Sequence, residues 1–292
     1  MDRNVRLLLC YEGTDFHGWQ RQPGFRTVQG EVEGRLRRVV REELSLIGSG
    51  RTDAGVHAVG QVANFHTTSD IPTDKLRRAI GSRLPADVGV RWVDDVALSF
   101  HASRSAVSKL YRYSIHADRG RPVSRSVQRR RFHFWEPLDV EAMRAGAVQF
   151  VGVHDFTAMA PVSCVRESMV RTVFRCDVER HLDEVRVDVE GSGFLYNQVR
   201  NMVGTLIEVG RGRWRPERVA EILAGRDRRL GGPTAPPEGL CLRWVRYRAE
   251  DLRSGQEEPL ADARGSERSG SAGASPSQRD RGSDRPASDS EL

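Results

Sequence analysis

Between residues 5 and 248 the spacing of apolar side chains switches repeatedly between two periods, and this switching limits the folds open to the chain. A period of two marks a strand with one buried face, and a period near 3.6 marks a helix packed along one stripe. Val5–Tyr11 is a short apolar run that reads as a buried strand, and Gln61–His66, Val88–Val93, Leu110–His116, Arg130–Trp135 and Leu240–Arg248 read as further strands. Arg171–Arg180 and Glu184–Glu190 alternate on either side of a short polar turn, the pattern of a hairpin. Val28, Val32, Leu36 and Val39 recur at helical spacing, so Val28–Glu42 is predicted to be a helix with Thr27 as its N-cap. Helices are also predicted over Asp74–Arg83, Leu138–Phe150, Phe194–Val209 and Pro216–Leu223. Strands and helices mix without a repeated βαβ rhythm, so the expected class is α+β with a largely antiparallel sheet. The pattern divides near Ala102–Ser108, which gives an N-terminal half over 1–105 and a C-terminal half over 106–250.

Residues 251–292 are rich in Ser, Gly, Arg, Asp and Glu and hold no aromatic residue. Such a segment buries too little apolar surface to offset its conformational entropy, and a disordered tail is expected. The tail holds six Arg against nine Asp or Glu, so residues 1–250 carry +9 of a chain whose total is +6. A body this basic suits a polyanionic partner, nucleic acid being the commonest, although a solvated basic surface gives the same count. Of the 46 basic residues only Lys75 and Lys109 are lysines. Arg binds phosphate in a fork and stacks on bases, which suits RNA, but an Arg-favouring codon usage would produce the same ratio. The four cysteines show no C-x-x-C and the eight histidines no H-E-x-x-H, so neither a disulfide framework nor a metal site is expected. No apolar run reaches the roughly 18 residues of a membrane span, and the first residues lack a signal-peptide core. These features fit a reducing cytoplasm.

Three segments could carry chemistry. Gly50-Arg-Thr-Asp-Ala-Gly-Val-His57 packs a cation, a carboxylate and an imidazole into a glycine-rich loop. It reads either as a site open to close ligand approach or as an ordinary Asp turn. On the predicted helix 194–209, Tyr196, Arg200, Val203 and Ile207 form one row, so Arg200 has apolar neighbours. It either snorkels to water or is buried and needs a carboxylate. Asp53 is a candidate partner, and an opposed Arg within about 4–6 Å would lower the pKa of an Asp. In Lys109-Leu-Tyr-Arg-Tyr113, Tyr111 and Tyr113 share a strand face, which suits either base stacking or plain sheet packing. His154-Asp155-Phe156 is a polar contact or a turn, and Gly232–Gly239 is a connector or a cleft wall.

Taken together, these segments resemble the TruA family of tRNA pseudouridine synthases. The similar stretches are Tyr11-Glu-Gly-Thr-Asp-Phe-His-Gly-Trp-Gln20, Thr27-Val-Gln29, Gly50–His57, Tyr111-Arg-Tyr113, His154-Asp155-Phe156, Val199-Arg-Asn-Met-Val-Gly204 and Thr234–Leu240, in the family's order. The resemblance spans roughly residues 4–248. It implies the pseudouridine synthase fold: two similar α/β halves with mainly antiparallel sheets meeting at a central basic cleft. It implies isomerisation of uridines 38 to 40 in the tRNA anticodon arm, a homodimer, and no metal or organic cofactor. By match of position, Asp53 is the catalytic aspartate, Arg51 the residue linked to opening the target base out of its stack, Tyr111 the ring that packs on the uracil, and Arg200 the cation that pairs with the aspartate. One departure stands out. The family usually reads Phe-x-Ala-Arg-Phe-Ser-Ala where this chain has Phe100-His-Ala-Ser-Arg-Ser-Ala106, so the resemblance leaves the catalytic set intact but does not carry the family's local RNA contacts over to Ser103 and Arg104. The alternatives are a catalytically inactive or retargeted RNA-binding paralogue, and a sugar hydrolase, which would want a second catalytic acid.

Overall fold

The computed structural model describes residues 2–120, 124–164 and 166–252, so the expected tail beyond Leu252 lies outside the described residues. The elements in chain order are β1 (Arg3–Tyr11), α1 (Val28–Val40), β2 (Ile47–Gly48), β3 (His57–Thr67), α2 (Thr73–Gly81), β4 (Val88–Val96), β5 (Ala106–His116), α3 (Arg125–Gln128), β6 (Phe132–His133), α4 (Val140–Val148), β7 (Gly152–Asp155), β8 (Val170–His181), β9 (Glu184–Gly191), α5 (Gln198–Gly210), α6 (Arg218–Gly225) and β10 (Leu240–Tyr247).

β1 shows why the sheet forms. Val5, Leu7 and Leu9 are fully buried on one face, the alternation that a packed strand requires. Leu7 lies opposite Ala63 of β3 on one side and Val93 of β4 on the other. The opposite face carries polar residues that are buried but satisfied. Arg6 makes a two-pronged ion pair with Asp94 at 2.9 and 2.6 Å, and Asn4 donates to the carbonyls of Ala97 and Phe100. A guanidinium so far from water is tolerable because a carboxylate meets it squarely.

The ten strands form one continuous sheet, in the order β4-β1-β3-β10-β5-β9-β8-β7, with β2 added to β3 and β6 to β5. All pairings are antiparallel except β10 with β3 and β5 with β6. β10, late in the chain, therefore lies in the middle: it joins the strands that precede residue 100 to those that follow. Tyr111 of β5 stands near this centre, opposite Leu242 of β10 and Val189 of β9. α2 packs on β4 and α4 on β8, and α5 packs against α4 and β5.

Three predicted elements are redrawn. Of the strand expected over 130–135, only Phe132–His133 pairs with β5, because Arg129, Arg130 and Arg131 turn instead to Glu12, Asp15, Asp183 and Glu184. The helix expected from Phe194 begins at Gln198. Asn197 takes a left-handed conformation (φ 59°), which a short amide side chain tolerates, and the Gln198 side-chain Oε1 accepts from the Leu195 N–H at 2.8 Å. Tyr196 consequently leaves the helical row and is 56 % exposed, while Arg200 stands in the first turn. α1 ends at Val40, two residues early, because Arg41 turns left-handed at φ 60°. Its start is as predicted: Thr27 Oγ1 accepts from the Gly30 N–H.

Candidate active site

The loop that carries Asp53 is fixed by backbone contacts from the segment after β1. Trp19 N–H donates to the Thr52 carbonyl at 3.0 Å, and Gly55 N–H donates to the Phe16 carbonyl at 3.3 Å. Gly18 sits at φ 84°, and a Cβ there would lie 2.6 Å from the Thr52 carbonyl oxygen, so only glycine allows the two chains to approach so closely. The Val56 N–H closes a turn onto the Asp53 carbonyl at 3.1 Å. Side chains hold the other end. Gln61 donates to the Gly50 carbonyl at 3.0 Å, Tyr11 shares a hydrogen bond with Thr52 at 2.8 Å, and the Lys109 ammonium donates to the Ser49 carbonyl at 2.5 Å. His57 belongs to this scaffold. Its Nδ1 accepts from the Gly13 N–H at 3.0 Å, which leaves the Nε2–H for the Glu238 carbonyl at 3.2 Å. Burial pushes its pKa down, so it is a neutral strut with both ring nitrogens engaged.

Asp53 projects from this loop toward α5, and its Oδ2 lies 3.3 Å from Arg200 Nη1. The two side chains are 19 % and 14 % exposed, so the pair is largely but not wholly withdrawn from water. Arg200 is held from two further sides. Its Nε donates to the Ala235 carbonyl at 2.7 Å, and Nη1 also donates to Asn197 Oδ1 at 2.9 Å. The left-handed Asn197 that delays α5 thus supplies an acceptor to the guanidinium. Arg200 does lower the pKa of Asp53, as expected, but the net shift runs the other way. Burial pushes the carboxyl above the usual range, and Arg200 pulls it down without overcoming the desolvation.

Asp53 opens onto a cleft of about 700 Å³. Tyr111 forms part of its wall, 8 % exposed, with its ring edge-on to Phe194 at 5.4 Å and 87°. Burial holds its hydroxyl far above the usual tyrosine range, so it stays protonated. Tyr113, on the same face, points away to the Pro236 carbonyl at 2.8 Å and serves packing. Arg112, on the other face, is bidentate with Asp188 directly across on β9. Arg51 is exposed at the cleft's edge, where its Nε donates to Gln20 at 3.1 Å. Asp53, Arg51, Tyr111 and Arg200 therefore share one cleft.

Ser103 lines the cleft too, whereas Arg104 is exposed and its N–H caps onto His101 Nδ1 at 3.3 Å. His154-Asp155-Phe156 proves structural: Asp155 accepts from the N–H and hydroxyl of Thr157, and Phe156 is fully buried. The 232–239 loop does more than connect, since Ala235 and Pro236 supply the carbonyls that fix Arg200 and Tyr113. The sequence reading missed Lys109, Phe194 and Asn197 as site residues. Phe194 and Asn197 were hidden inside a helix drawn one turn too long. Among the described residues, no three His, Cys, Asp or Glu side chains group as a metal site, and no helix is long and apolar enough to cross a membrane.

Comparison with known proteins adds the family. The signature of the tRNA pseudouridine synthase family matches residues 9–103 and 147–248. The chain belongs to this family. A protein of Brevibacillus brevis named tRNA pseudouridine synthase A is 48 % identical over 247 residues, which is 84 % of this chain and 100 % of that one. Its namesake in Syntrophotalea carbinolica is 48 % identical over 256 residues, 86 % of this chain and 99 % of its own length. That of Geotalea daltonii is 42 % identical over 246 residues, covering 84 % and 100 %. Within the tRNA pseudouridine synthase signature lie Asp53, Arg51 and Arg200, while Tyr111 falls between its two matched stretches.

Proposed function

We propose that this protein isomerises uridine to pseudouridine at positions 38 to 40 of the tRNA anticodon arm, with Asp53 as the catalytic carboxylate. The observation that carries the reading is one carboxylate, paired with Arg200 at 3.3 Å, at a cleft of about 700 Å³ that Tyr111 helps to wall. The product is an isomer of the substrate, so no external group is required. The N1–C1′ bond breaks, the uracil turns, C5 bonds to C1′, and the proton on C5 is lost while N1 gains one. Breaking a glycosidic bond develops positive charge on the sugar, and an ionised carboxylate can trap it covalently, stabilise it or take a sugar proton. Arg200 favours the ionised form of Asp53 against the cost of burial. Tyr111 offers a ring face or edge to the uracil, and Arg51 at the mouth meets the strand as the target nucleotide leaves its stack. The halves before and after residue 105 each supply part of the cleft: Asp53 and Arg51 from the first, Tyr111 and Arg200 from the second. In this reading the protein works in the cytoplasm as a homodimer.

The test is Asp53→Asn, followed by tritium release from tRNA labelled at uridine C5. Turnover is expected to fall roughly a thousandfold or more while tRNA binding survives. Release at the parent rate would remove Asp53 from the chemistry, and an inactive parent that still binds tRNA would make the protein a binding module.

A further inference from the structure

Of the 46 Lys and Arg in the chain two are lysines, and they sit in opposite settings. Lys75 is exposed on α2, whereas Lys109 lines the cleft from β5. An ammonium has three N–H donors. One donates to the Ser49 carbonyl at 2.5 Å, and among the described residues no acceptor takes the other two. Nor is there a counter-ion. The charged and titratable groups that line the cleft with it are Arg51, Asp53, Tyr111, Arg166, Arg171 and Arg200, and those within two residues of it or of its register partners Gly191 and Val245 are Tyr111, Glu190, Arg243, Arg246 and Tyr247. Asp53 is paired with Arg200, and Glu190 with Arg175 and Arg246. Burial alone therefore acts on Lys109 and pushes it down to about 8. Arg51, Arg166 and Arg171, which line the same cleft, likewise have no carboxylate partner among the described residues.

A half-buried ammonium with two unmet donors and no counter-ion leaves a place for an anion. If RNA occupies the cleft, as the function proposed above requires, the anion it brings is the phosphodiester. We propose that Lys109 is a positioning residue that binds a phosphodiester oxygen of the substrate strand and, through its hydrogen bond to Ser49, ties that phosphate to the loop that carries Asp53. The inference rests on the proposed function and assigns to its site a contact that couples substrate binding to the placement of the catalytic carboxylate.

The test uses the full chain carrying Asp53→Asn, which is to bind tRNA without turning it over. A phosphate beside Lys109 raises the pKa of the ammonium in the complex, so binding takes up a proton once the free protein has lost it. Affinity for tRNA should then fall as pH rises, by about tenfold between pH 7 and pH 9. Adding Lys109→Met should weaken binding at pH 7 by about tenfold or more and flatten the pH dependence. Adding Lys109→Arg should restore binding to within a few-fold and remain flat, because a guanidinium keeps its charge throughout. Lys75→Met should leave the parent slope unchanged. A purely structural Lys109 would not move the slope. Binding of the parent that is independent of pH, or a slope that persists in Lys109→Met or Lys109→Arg, overturns the phosphate contact and leaves the proposed function standing. A parent that fails to bind tRNA at any pH ends both.

Discussion

Asp53 sits between two opposed influences, and their balance sets how the site should respond to pH. Desolvation raises its pKa more than Arg200 lowers it. The protonated form therefore stabilises the fold at pH values below the ordinary carboxylate range, and this stabilisation is lost as pH rises through the raised pKa. Ionising this carboxyl therefore costs more than ionising one in water. Arg200→Met removes the one influence that favours ionisation. The acid limb of the kcat/KM profile is expected to move to higher pH, and the pH-independent plateau to fall by about a hundredfold. An unmoved limb would show that Arg200 does not govern the carboxylate. At this scale the sequence was informative where a residue type had a need. An Arg among apolar neighbours needs an acid, and Asp53 was the acid that the glycine-rich loop offered. It was silent on Lys109, since nothing in a strand's alternation says which long side chain will find an anion-shaped gap.

α5 and the 232–239 loop work as one unit, because their backbones come into contact at Gly204 and side chains of the helix bond the loop on either side of it. A Cβ on Gly204 would lie 1.7 Å from the Pro233 carbonyl oxygen, and the Gly232 N–H donates to Thr205 at 3.0 Å. Gly204→Ala must push the loop away and with it the Ala235 carbonyl that holds Arg200. The expected outcome is a loss of about 1–3 kcal/mol, roughly 2–12 °C in Tm, together with a fall in turnover at temperatures where the variant is still folded. A melt that drops while turnover per folded molecule is unchanged would uncouple the loop from the site. Long strands such as β5 and the β8–β9 hairpin were legible because one face is buried and period two records it. The start of α5 was not. Phe194, Leu195 and Tyr196 fit a helical row as well as an extended lead-in, and only the left-handed backbone at Asn197 decides between them.

For the whole molecule, charge is the feature that sequence and structure share. The surplus of +9 over residues 1–250 is expressed in the cleft as Arg51, Lys109, Arg166 and Arg171, without carboxylate partners among the described residues. If these four meet phosphates, log affinity for tRNA should fall against log salt concentration with a slope of about −3. A slope near zero in a filter-binding titration would mean that the basic residues only solvate the surface. The order of the sheet was out of reach of any local pattern, since β10 resembles other strands and gives no sign of which neighbours it will take. Its place carries a consequence for how the protein is made. On a ribosome the other seven strands of the path cannot join into one sheet, because β10, which bridges β3 to β5, is the last of the ten strands to emerge. Until residues 240–247 arrive, two partial sheets must wait with bare inner edges, open to pairing with other chains, and the groove that unites Asp53 with Arg200 has no settled walls.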